Sequence, residues 1–131
     1  MPGSSSVVRV RVSMSVIYHL APAERWNSWP KGTPYLPAEY EKDGFVHCTV
    51  GDELMIKVAN QYQRKTPGDF VLLFIDTSKL KDPASPIKYE PSSVFGSLFP
   101  HIYGAIDQNA VVDVRTVQRD DDGTFVGWSA A

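Results

Sequence analysis

The sequence predicts one small α+β domain, and three observations carry that prediction. Its 131 residues suffice for one hydrophobic core and are too few for two independent ones. Ten prolines and nine glycines cut the chain into short pieces, most of which read as strands. One stretch alone has sustained helical periodicity, and strands and helices do not alternate as they do in an α/β fold. The domain is expected to span 16–131, with an extension at 1–15 that can prolong the first strand.

Each element has its own signal. Val16 to Leu20 (Val-Ile-Tyr-His-Leu) is β-branched and aromatic, and Val8, Val10 and Val12 alternate with Arg9 and Arg11 in strand fashion ahead of it. Pro22 to Trp26 can start a short helix, with proline near the first turn, where its missing N–H costs little. Pro30, Gly32, Pro34 and Pro37 make Asn27 to Ala38 an irregular loop. Asp43-Gly44 is a turn signal that leads into a strand over Phe45 to Val50.

The main helix is predicted at about 52–65, because Leu54, Val58, Ala59 and Tyr62 recur on one face. Thr49 is its candidate cap, acidic Asp52 and Glu53 suit its start, and Pro67-Gly68 stops it. Phe70 to Ile75 is a continuous apolar run, which predicts a central strand covered on both faces. Lys81 to Pro86 reads as a connector, Ile87 to Glu90 as a short strand, and Pro91 to Gly104 as a loop rich in aromatic and turn residues. Val111 to Gln118 and Thr124 to Trp128 form a hairpin around the polar turn Asp120 to Gly123.

Composition removes several function classes. A net charge of -2 argues against a protein that grips nucleic acid through a broad basic surface. No stretch approaches the ~18 consecutive apolar residues of a membrane span. The single cysteine, Cys48, excludes an internal disulfide and fits a reducing compartment, so a cytoplasmic protein is expected. The first 23 residues lack Asp and Glu and carry Arg9 and Arg11 among serines, a faint likeness to an organelle transit peptide.

Chemistry is available at few positions. His19 follows Tyr18 in the first strand, His47 lies in the second, and His101 sits in Phe99-Pro100-His101-Ile102-Tyr103-Gly104. Strand alternation puts His47 and Thr49 on one face and Val46 and Cys48 on the other, so Cys48 is expected to be a buried small hydrophobe. Glu90 ends a strand, where a carboxylate can face a cleft and stabilise a developing positive charge or act as a base. No metal is expected, since the chain lacks a His-x-x-x-His or His-x-His pair. A metal-dependent hydrolase built on His19, His47 and His101 is the least favoured reading. Phosphate-cradling glycine loops are absent as well.

The ordered motifs resemble the domain of unknown function 952 family. They are Ile17-Tyr18-His19, Trp26, Gly44-Phe45-Val46-His47-Cys48-Thr49, Val58-Ala59-Asn60, Val71 to Asp76, Tyr89-Glu90 and Phe99 to Gly104, which together span about 16–116. That family looks like a compact branch of the ADP-ribosyltransferase-like superfamily. The resemblance implies a small split or mixed sheet with a cleft that takes NAD or a related nucleotide as a small-molecule substrate. It implies His19 on the first strand as a ribose ligand, Thr49 in the second motif, and Glu90 as the group that stabilises an oxocarbenium-like state. His101 and Tyr103 would close the cleft, with Tyr103 stacking on a ring of the substrate, and His47 and His101 are the candidate catalytic imidazoles expected in one cleft with Glu90. Lys88 stands where many protein-modifying members have Gln or Glu, which points away from arginine modification. A nucleotide-binding or ADP-ribose-binding module without catalysis is the alternative.

Overall fold

The computed structural model describes residues 15–80 and 86–130. The strand expected at Val7 to Val12 and nearly all of the Lys81 to Pro86 connector lie outside the described residues. Among the described residues seven strands and three α-helices follow in order: β1 (Val16–Pro22), α1 (Ala23–Ser28), α2 (Tyr40–Asp43), β2 (Val46–His47), α3 (Asp52–Gln63), β3 (Phe70–Asp76), β4 (Ile87–Pro91), β5 (Leu98–Ile102), β6 (Val111–Arg119) and β7 (Phe125–Trp128). The class is α+β, as the sequence predicts. Among the described residues no helix is long and apolar enough to cross a membrane.

The strands form two sheets, one in the order β1-β3-β6-β7 and one in the order β2-β5-β4. Among the described residues every strand pairing is antiparallel, so the core is split but not mixed. β3 lies between β1 and β6, and its continuous apolar run follows from two-sided burial. Phe70 and Leu72 face a core with Met55, Ala59, Val117 and Phe125. Val71, Leu73 and Ile75 face the other, with Ile17, Ala21, Tyr35, Val46 and Ile102. Helix α3 closes the first of these cores, and the second sheet closes the other.

Three elements differ from the sequence prediction. β5 runs through the segment expected to be loop, where Pro100 and the neighbouring turn residues hide it. Proline is tolerated there because its position opposite Cys48 lies just past the end of the two-residue β2, and its carbonyl still accepts the Cys48 N–H at 3.1 Å. The strand expected over Phe45 to Val50 shrinks to Val46–His47, after which Thr49 makes an isolated bridge to Tyr18 of β1. At the start of α3, Gly51 with φ +96° takes the cap position without a side-chain bond, and Asp52 accepts the Tyr18 hydroxyl. Tyr62, expected among the buried face of α3, is exposed instead.

Candidate functional site

A cleft of about 650 Å³ opens between β1, the β2 segment, α3 and the β4–β5 pair. That is the size of a small-molecule site. His19, His47, Thr49, Glu90 and His101 all line it, so the structure gathers five of the six residues singled out in the sequence.

On β1, Ile17, His19 and Ala21 point to the same side, which puts an imidazole at the boundary of core and cleft. His19 is 3% exposed. Its Nδ1 donates to the carbonyl of His47 at 2.7 Å and so ties the first sheet to the second. That donation fixes the tautomer and leaves Nε2 as an acceptor; this atom is buried and has no partner among the described residues. Burial lowers the pKa of the ring, against the raising effect of the carbonyl bond, and the imidazole is neutral. Thr49 is buried beside it and exchanges two backbone bonds of 2.8 Å with Tyr18.

The second sheet presents its polar face to the cleft. His47 pairs with His101, His101 with Lys88, and Phe99 with Glu90, and residues paired across strands share a face. The opposite face carries Val46 and Ile102 into the core. Gly44, at φ +80°, ends α2 with its N–H on the Tyr40 carbonyl and turns the chain into β2. The turn brings Asp43 Oδ2 to 2.8 Å from Nε2 of His47, a half-exposed side chain. It also lays Phe45 flat on His101, with ring centroids 4.0 Å apart and planes 20° apart.

Glu90 is held by two donors on one oxygen. Tyr103 donates its hydroxyl to Oε1 at 2.6 Å, and His101 donates Nδ1–H to the same atom at 2.7 Å. These bonds, the Tyr103 one first, hold the carboxyl below its ordinary range, so it is ionised at neutral pH. Tyr103 in turn is raised by its bond to Glu90. Its ring is covered by Lys88, whose Nζ lies 4.7 Å from the centroid, and flanked by Phe45 at 5.4 Å. Tyr103, expected to stack on a substrate ring, does not line the cleft, and its hydroxyl connects it to the cleft through Glu90.

Cys48 is buried against the core, and burial pushes its thiol up, away from the reactive thiolate. Among the described residues no group of three or more His, Cys, Asp or Glu side chains is arranged to hold a metal ion. The ring nitrogens make separate bonds instead: His19 to a carbonyl, His47 to Asp43 and His101 to Glu90. The metal-dependent hydrolase reading therefore gains no support from their placement.

Sequence reasoning gave no site role to Asp43, Phe45 or Phe95, and it assigned Tyr62 to the core. The spacing of Asp43 four residues before His47, across a glycine, was the one available signal for that pair.

The family profile described as a protein of unknown function, DUF952, matches residues 20–114. The chain belongs to this family. His47, Thr49, Glu90, His101 and Tyr103 lie within the matched span, and His19 lies one residue before it. The crystal structure of protein CC0527 from Caulobacter crescentus is similar, with a TM-score of 0.71 at 25% identity, over 86% of this chain and 94% of that one. A double mutant of the same protein gives 0.68 at 24% identity over the same shares. Comparison with curated proteins gives no match. For this DUF952 member the likeness supports the fold, and the activity has to be argued from the cleft.

Proposed function

We propose that the cleft takes NAD or an ADP-ribosylated small molecule, and that the chain acts in the manner of an ADP-ribosyltransferase, by transfer or by cleavage at the N-glycosidic bond. One observation carries the reading. His19, whose buried Nε2 has no partner among the described residues, lines the same cleft as a carboxylate held ionised by two donors. An unpaired buried acceptor is costly, and a ribose hydroxyl donating to it would remove that cost. Glu90 beside the scissile bond would favour the positive charge that develops on the ribose as nicotinamide leaves with the bonding electron pair. Water or a hydroxyl acceptor then forms the new bond to the anomeric carbon. His101, oriented through Nδ1 by Glu90, would take the acceptor's proton on Nε2, with His47 as its neighbour at 5.3 Å between rings. Thr49 and Tyr103 would serve as a wall of the ribose site and a support of Glu90.

A second reading has its own support. Lys88 over Tyr103 and the imidazole on Glu90 both offset the carboxylate charge, which suits a module that binds a nucleotide or ADP-ribose without chemistry. Glu90→Gln separates the two. It keeps the shape and loses the charge, so calorimetric affinity for NAD should stay nearly unchanged while nicotinamide release falls by about a hundredfold or more, the scale of losing one electrostatic stabiliser. Wild type that binds NAD without releasing nicotinamide would favour the binding module. Wild type that binds neither NAD nor ADP-ribose would end both readings.

A further inference from the structure

Where the turn between β4 and β5 meets α3, two aromatic rings on the cleft meet edge to face. Tyr62 lies on α3 and is 56% exposed, although the periodicity of the helix would bury it. Phe95 lies in the turn between β4 and β5, placed by Ser92, whose Oγ accepts the N–H groups of Val94 and Phe95 at 3.2 Å each. Their centroids are 6.4 Å apart with planes inclined by 63°, and both line the cleft. Phe99, 5.8 Å from Phe95, supports the turn ring from behind.

We propose that Tyr62 and Phe95 form a stacking subsite for the planar heteroaromatic base of the nucleotide. The inference rests on the nucleotide reading and names how the base is held. The rings meet edge to face at 6.4 Å, and a flat ring seated between parallel faces needs about 7 Å, about 3.5 Å for each face-to-face contact, so Tyr62 has to turn to admit a base. Tyr62 is the ring free to turn, being exposed on a helix surface and touching only Phe95 among aromatic rings of the described residues. Turning it parallel to Phe95 opens the slot without disturbing either core. The side chain of Gln63, also on the cleft, supplies both an amide donor and an acceptor for a base edge. Stacking tolerates any base, so this subsite recognises a base as a class, and the ribose end of the cleft sets the rest of the specificity.

The test is calorimetric titration of the full chain with ADP-ribose. Tyr62→Ala and Phe95→Ala should each weaken binding by about tenfold or more, the scale of losing one base–aromatic stack, while Tyr62→Phe should bind like wild type. Tyr62→Ala changes an exposed side chain, so its reading does not depend on Phe95→Ala keeping the turn intact. A Tyr62→Trp variant should also lose tryptophan emission on adding ADP-ribose, as a base stacks on the new indole. If wild type binds ADP-ribose and neither alanine variant weakens it, the stacking subsite is wrong and the nucleotide reading stands. If wild type binds neither ADP-ribose nor NAD, both fall together.

Discussion

His19 is a neutral imidazole at 3% exposure, with one nitrogen bonded and one without a partner among the described residues. Its burial has a consequence for stability. In the unfolded chain the ring takes a proton below its ordinary pKa of 6.5, whereas in the folded protein burial lowers that pKa. Between the two values the unfolded state binds a proton that the native state does not, so stability is fully present above about pH 6.5 and is lost as the pH falls below it. Glu90, a depressed carboxylate, loses its contribution only as the pH falls through its lowered folded value, in a more acid window. The midpoint of thermal unfolding should therefore be nearly flat above about pH 7 and drop as the pH falls below about 6.5, and His19→Gln should flatten that drop. An equal drop in the variant would remove the assignment. Residues of this kind were legible in the sequence because each is a polar side chain set in an apolar or aromatic segment. Asp43 and Phe45 were not, because their meaning comes from how Gly44 turns the chain, and nothing in their own residue types marks it.

Helix α3 shows how an element serves the cleft through its docking. Its inner face buries Met55 and Ala59 against β3 and β7, and its flank offers Val58 and Tyr62 to the cleft. What sets its position is Asn60, whose Oδ1 accepts the Phe125 N–H at 2.7 Å and whose Nδ2 donates to the Phe125 carbonyl at 3.0 Å. One side chain thus takes the place of a neighbouring strand for the buried Phe125 at the start of β7. Asn60→Ala should cost about 1–3 kcal/mol, since it leaves two backbone groups of a part-buried segment without partners. Denaturant unfolding measures the loss, and a change within a few tenths of a kcal/mol would mean that water replaces the clamp. The family motif Val58-Ala59-Asn60 thereby acquires a docking role. At this scale the sequence served where the period was clean, as in α3 and β3. It failed where the decisive pairing was long-range: β5 is a strand because β4 and β2 flank it, and its own Pro100 argues the other way.

Across the whole molecule the central question is whether two cores make one cooperative unit. The broken pattern of the chain predicts an α+β class, while the split of the strands into two sheets is expected only from the family resemblance, since that division depends on which strand edges meet. β3 belongs to both cores: Leu72 is fully buried in one and Leu73 in the other, on adjacent residues of one strand. The bond from His19 to the His47 carbonyl and the Tyr18–Thr49 bridge then join the sheets on either side of the cleft. A strand shared in this way cannot leave one core without exposing the other, so unfolding should be two-state. The three tryptophans allow this to be read separately, because Trp26 and Trp29 pack against the Leu73 core and Trp128 against the Leu72 core. In a Trp26→Phe/Trp29→Phe background, Leu73→Ala should lower stability by about 2–5 kcal/mol, the usual cost of emptying a buried leucine site. The emission of Trp128, in the other core, should report that whole loss and share its midpoint with far-ultraviolet circular dichroism. A Trp128 transition left in place while the circular dichroism midpoint moves would show that the two cores unfold independently, and the cleft between the sheets would then be a hinge instead of a rigid wall.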